Sequence, residues 1–172
     1  LGVVNILKNC FPQAVIHAST QMAINNYEGA IQAQKMGITR IVLSRETSLN
    51  DIKLIKEKTE LEIEYFIQGA LCVCFSGNCY LSSCLFGKSG NKGECLQPCR
   101  LPYKAFLKDK QIAQGYLLSA KDMNMSARLK ELATSGVTSF KIEGRLRRPA
   151  YVYEATKVYR EIINNNYLTN AD

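Results

Sequence analysis

A chain of 172 residues, 47% apolar and 22% charged, has the makeup of one globular domain and is long enough to bury a sizeable core. No apolar run approaches the roughly 18 residues of a bilayer span, and "LGVVNILKNC" is no secretory leader, so a membrane role is excluded and a cytoplasmic protein is expected. The net charge of +7 favours anionic partners such as RNA, although basic and aromatic residues do not interleave as in a single-strand platform.

Short β-branched runs alternate with helical patterns. "AVIHAST" (14–20) reads as a strand entering a loop, and "NNYEGAIQAQKMG" (25–37) as a helix with Ala30, Ile31, Ala33 and Met36 inward and Gly37 as its stop. "ITRIVLS" (38–44) is a buried strand, and "SLNDIKLIKEKT" (48–59) a helix capped by Ser48. "LEIEYFIQGA" (61–70) alternates as a strand. Residues 72–99 then form a long loop rich in cysteine and glycine, which inside a compact domain points to function. A short hairpin around "KDKQ" follows, then a strand at 116–119, a helix at 127–136, a strand at 137–144, and a helix at 148–166 with Pro149 in its first turn. The order predicts an α/β fold with a parallel sheet over residues 1–172. That sheet is either open and doubly wound or five-eighths of a TIM-type (β/α)8 barrel. No GxGxxG fingerprint supports a dinucleotide fold.

The expected carboxyl ends of these strands are polar, and in a barrel that is where function sits. They carry His17, Ser19, Thr20 and Gln21, then Ser44, Arg45 and Glu46, then Gln68, then Lys121 and Asp122, then Lys141, Glu143 and Arg145. Each has a plainer role available. His17 suits a satisfied core or surface histidine, Arg45–Glu46 a loop ion pair, and Lys121–Asp122 a helix cap. Lys141, Glu143 and Arg145 alternate along a strand and share one face, where they suit either an ion pair or an anionic ligand.

Six of the seven cysteines, all but Cys10, fall between positions 72 and 99. Disulfides do not suit an odd count in a cytosolic chain, and one activated thiol does not explain a cluster. Structural zinc favours CxxC knuckles, but the segment offers C-x-C at 72/74 and C-x3-C at 95/99. An iron–sulfur cluster also takes four thiolates and tolerates looser spacing. Thiolate softness leaves zinc and iron–sulfur open. Cys72, Cys79, Cys95 and Cys99 would join two pairs from the flanks of the loop, with Cys74 and Cys84 as extras.

"EYFIQGALCVCFSGNCYLS" (64–82) resembles the signature of the peptidase U-thirty-two family, the collagenase-like proteases: E-x-F-x-x-G-[SA]-aliphatic-C-x4-G-x-C-x-aliphatic-S. Glu64, Phe66, Gly69, Ala70, Leu71, Cys72, Gly77, Cys79, Leu81 and Ser82 meet every fixed position. "HASTQM", "RIVLSRE", "GECLQPCR", "LSAKDM" and "SFKIEGRLRRPAYV" also resemble family segments, in family order.

The resemblance implies the later strands of a (β/α)8 barrel, cut at its amino end and lacking any carboxyl-terminal domain. It implies a [4Fe–4S] cluster on Cys72, Cys79, Cys95 and Cys99, hydroxylation of tRNA uridine or rRNA cytidine, and prephenate as oxygen donor, a small anion suited to the basic rim. The family name implies proteolysis instead, yet the chain has no HExxH, GxSxG or Ser–His–Asp set. The leading expectation is an iron–sulfur-dependent tRNA hydroxylation protein. Its rivals are a collagenase-like peptidase using a metal or thiol, and a non-catalytic metal-stabilised scaffold.

Overall fold

The structure is a computed structural model that describes residues 1–168. It opens with helix α1 (Gly2–Cys10), which was not among the expected elements; Val4 and Leu7 pack on the core while Val3 and Ile6 stay exposed. Strand β1 (His17–Ala18), helix α2 (Tyr27–Lys35), strand β2 (Arg40–Val42), helix α3 (Leu49–Lys58) and strand β3 (Glu62–Gly69) follow close to the expected positions. Side chains set the helix starts. Asn26 accepts from the Gly29 N–H at 2.9 Å, and Ser48 from the Asp51 N–H at 3.2 Å, which satisfies donors that have no partner within the helix.

The cysteine segment is not bare loop. It holds helix α4 (Leu81–Phe86) and 3-10 turns at Gly90–Lys92 and Pro98–Arg100. The hairpin forms as β4 (Tyr103–Leu107) and β5 (Lys110–Gly115). The strand expected at 116–119 does not form. Ser119 N–H turns back to the Tyr116 carbonyl at 3.0 Å, and Tyr116, Leu117 and Leu118 stay exposed, so this apolar run is not a buried strand. The next strand is β6 (Met123–Asn124), followed by α5 (Leu129–Thr134), β7 (Ser139–Ile142) and α6 (Pro149–Leu168).

β1, β2, β3 and β7 run parallel, with Ile41 opposite Ile63 and Phe66 opposite Lys141. β6 instead pairs antiparallel with the end of β3, with Gln68 opposite Asn124. The sheet therefore has four parallel strands and one antiparallel strand, where five parallel strands were expected. Strand alternation divides its faces. Ile41, Leu43, Ile63, Tyr65 and Ile67 enter the main core, to which α1, α2, α3, α5 and α6 all contribute. The other face carries a small cluster of Val42, Phe66 and Met123, and beside it the polar side chains described below. Among the described residues no helix is long and apolar enough to cross a membrane.

Candidate functional site

The carboxyl ends of the four parallel strands meet the cysteine segment around a cavity of about 390 Å³. β1 leads to Thr20 and Gln21, β2 to Arg45, β3 to Leu71 and Cys72, and β7 to Glu143 and Arg145. Two glycines permit the close approaches. Gly77 (φ +79) sits where a Cβ would lie 3.0 Å from the Gln21 carbonyl oxygen, so the cysteine segment can press on the loop after β1. Gly69 (φ +124) sits where a Cβ would lie 2.6 Å from the Cβ of Glu143, which lets β3 and β7 end side by side.

All seven cysteines are free. Cys72, Cys79, Cys95 and Cys99 line the cavity; Cys74 and Cys84 do not, and Cys10 ends α1. The Cys95 sulfur accepts from the Gln97 N–H at 3.3 Å, and Arg45 reaches the Cys72 sulfur at 3.9 Å. Burial pushes the Cys72 thiol above its ordinary pKa; Arg45 opposes this, while Glu143, Cys79 and Cys99 add to it. Burial likewise raises Cys99, against the pull of Arg100 and with the push of Cys95 and Cys79. Cys79 and Cys99 thus lie near Cys72, and Cys79 and Cys95 near Cys99. Even so, among the described residues no three His, Cys, Asp or Glu side chains converge tightly enough to hold a single metal ion. The thiols surround the cavity rather than meeting at a point.

Arg45 binds Glu143 at 2.7 Å, and its guanidinium lies 4.0 Å from the Phe66 ring centroid. Lys141 lies 5.3 Å from the same ring and binds Glu64 at 2.8 Å. Glu64 also accepts from Ser139 at 3.2 Å and faces Arg40 at 3.7 Å. Burial alone would raise its pKa, but the hydrogen bond and charge of Lys141, with Ser139 and Arg40, hold the carboxyl below its ordinary value. Arg145 donates to the Cys95 carbonyl at 3.3 Å. Arg45, Arg100, Lys141 and Arg145 line the cavity against a single carboxylate, Glu143, so its charge is cationic before any thiol ionises.

The other sequence candidates lie elsewhere. His17 is exposed and does not line the cavity. Glu46 grips Ser76, taking its N–H at 3.0 Å and its hydroxyl at 2.9 Å, and so anchors the start of the cysteine segment. Lys121 is exposed and away from the cavity. Asp122 bridges Arg100 and Arg147 outside it. Sequence reasoning named Glu64 and Phe66 only as signature positions and gave neither them nor Arg100 a place in the site. The first two were visible as an alternation with Glu62 on one face of β3. Arg100 adjoins Cys99 and donates to the Leu71 carbonyl at 3.0 Å, next to Cys72, and to Ser119 at 2.9 Å. It ties both flanks of the cysteine segment together, a long-range contact that no local pattern announces.

Comparison with known proteins adds to this geometry. The 23S rRNA 5-hydroxycytidine C2501 synthase of Escherichia coli is 45% identical over 163 residues, 92% of this chain and 25% of that protein. The tRNA hydroxylation protein P1 of Bacillus subtilis is 33% identical over 170 residues, 94% of this chain and 40% of that protein. A collagenase of Porphyromonas gingivalis is 36% identical over 163 residues, 86% of this chain and 39% of that protein. The chain therefore spans less than half the length of these relatives. No solved structure gives a significant match. The family model described as Peptidase family U32 matches residues 1–171, and this chain belongs to that family.

Proposed function

We propose that the chain is the part of an RNA-hydroxylating protein, acting on tRNA uridine, that carries a cysteine-bound [4Fe–4S] centre and a cationic substrate cavity. The observation behind this reading is that Cys72, Cys79, Cys95 and Cys99 line one cavity with Arg45, Lys141 and Arg145. A zinc ion needs all four thiolates about 2.3 Å from a single point, whereas a four-iron cluster takes each thiolate on a different iron. Thiols that surround a cavity fit the second arrangement better. Four thiolates also bring negative charge, which the cationic lining offsets. Bound there, such a cluster supplies one-electron redox chemistry.

The remaining work falls to side chains. Arg45 and Arg145 present guanidinium groups to carboxylates, as of prephenate, the oxygen donor we favour. Glu143 fixes the orientation of Arg45, and Phe66 and Leu71 keep the inner wall apolar. The names of the RNA-modifying relatives support RNA as the substrate class. Unpaired cysteines suit a reducing cytoplasm. Helices α1, α2, α3, α5 and α6 pack on one face of the sheet, which suits a portion of a barrel rather than a doubly wound sheet.

The collagenase relative supports peptidase activity as a second reading. Burial raises Cys72 and Cys99 where a nucleophile needs a lowered value, which weighs against either of these two as a catalytic thiol. The deciding experiment is to purify the full-length protein under nitrogen and assay iron, sulfide and zinc, with nucleoside mass spectrometry of RNA from a deletion strain. About four irons and four sulfides per chain, lost on Cys79→Ser, with a missing hydroxylated nucleoside in the deletion strain, is the expected result. Stoichiometric zinc and an unchanged RNA profile would overturn it.

A further inference from the structure

The β4–β5 hairpin stands apart from the sheet and pairs only with itself. A lone two-stranded hairpin is marginal in water, so one that persists calls for a partner or for anchoring at its base. Its base is anchored. Tyr103 donates to the Pro98 carbonyl at 2.9 Å, and Arg100 holds Ser119 on the returning chain at 2.9 Å. Pro98 and Arg100 both line the cavity, so the hairpin rises directly from its rim.

The two faces of the hairpin differ. Tyr103, Ala105, Ala113 and Gly115 are half-buried, whereas Lys104 and Phe106 are exposed, with Gln114 and Gln111 opposite them across the strands. Phe106 is 58% exposed, and Leu107 and Ile112 on the same hairpin are exposed as well. The tip turns through Lys108 at φ +53, where glycine or asparagine would sit with less strain. Residues 101–121 carry Lys104, Lys108, Lys110 and Lys121 against one acid, Asp109. Lys104 and Phe106 therefore share one exposed face of the hairpin, with Lys108 at its tip.

We infer that this hairpin is a single-stranded RNA arm, on which Phe106 stacks a base and Lys104 and Lys108 hold the flanking phosphates beside the cavity. The inference rests on RNA being the substrate class proposed above. Four lysines against one acid favour a polyanion, and the exposed ring of Phe106, beside Leu107 and Ile112, favours unstacked bases over a duplex, whose bases are already stacked. The amides of Gln111 and Gln114 share the face and offer donors and acceptors to base edges.

The test is fluorescence anisotropy of the full-length protein with a labelled oligouridylate and with the matching RNA duplex, over a salt series. Phe106→Ala is expected to weaken single-strand binding about tenfold. Lys104→Gln and Lys108→Gln should each weaken it and flatten the salt dependence by about 0.7 in log–log slope. Unchanged melting temperature and metal content would show that each variant is folded. Wild-type binding that none of these substitutions alters would overturn the arm while leaving the RNA reading standing. Equal affinity for the duplex would overturn the stacking role. Failure of the wild type to bind RNA, or selective loss of binding to a denatured collagen peptide, would overturn both the arm and the RNA reading.

Discussion

Arg45 and Glu143 are far apart in sequence, yet they meet with side chains only 13% and 21% exposed. Removing either leaves a half-buried charge beside the thiols. Arg45→Met and Glu143→Gln should each cost about 2 kcal/mol, read as a lower urea midpoint, and the double variant should cost less than their sum. Additive losses would mean that the pair is not coupled. Glu64 makes a pH prediction. Its folded pKa lies below the unfolded value, so its contribution is present above the ordinary carboxylate range and fades as pH falls through the folded value. Stability of the wild type should therefore drop below about pH 4.5, and Glu64→Gln should lose that part of the slope while being less stable at neutral pH. Identical pH profiles would refute the assignment.

Among the elements, α2 and α3 were legible because their signals are local. Asn26 and Ser48 cap them, and the spacing of apolar residues buries Ala30, Ala33, Ile52 and Ile55. Ser48→Ala should cost about 1 kcal/mol, measured by thermal unfolding. Gly69→Ala should cost about 1–3 kcal/mol, because its φ is positive and the new methyl would strike Glu143. A neutral result would mean that β3 and β7 can part there. α1 carries Val3, Val4, Ile6 and Leu7 at helical spacing, a signal left unread; Val4 and Leu7 turn to the core while Val3 and Ile6 stay exposed. The strand expected at 116–119 failed for the opposite reason. An apolar run looks buried in sequence, but Tyr116, Leu117 and Leu118 lie beside an exposed hairpin.

Across the whole molecule, the sheet separates structural from chemical work. One face takes the helices and the core, and the other opens toward the cavity. Arg100 joins this cavity to the hairpin through Leu71, Ser119 and Ala120. A lysine has one charged nitrogen where Arg100 uses two, so Arg100→Lys should loosen the hairpin base. Limited proteolysis within 101–120 should become severalfold faster while cleavage of α2 and α3 stays unchanged; equal rates would show that Arg100 is not the clasp.

The sequence by itself determined which residues alternate, where helices begin, and that six cysteines crowd one segment, because these are properties of near neighbours along the chain. It also carried a signature specific enough to indicate the family. That Glu46 anchors a loop while Glu143 faces the thiols, and that His17 and Lys121 stand aside, were decided only by tertiary structure. Those outcomes depend on strand register, on a glycine that lets two strand ends close up, and on an arginine joining distant segments. Each is a contact between residues far apart in the chain, and local pattern has no means of encoding it.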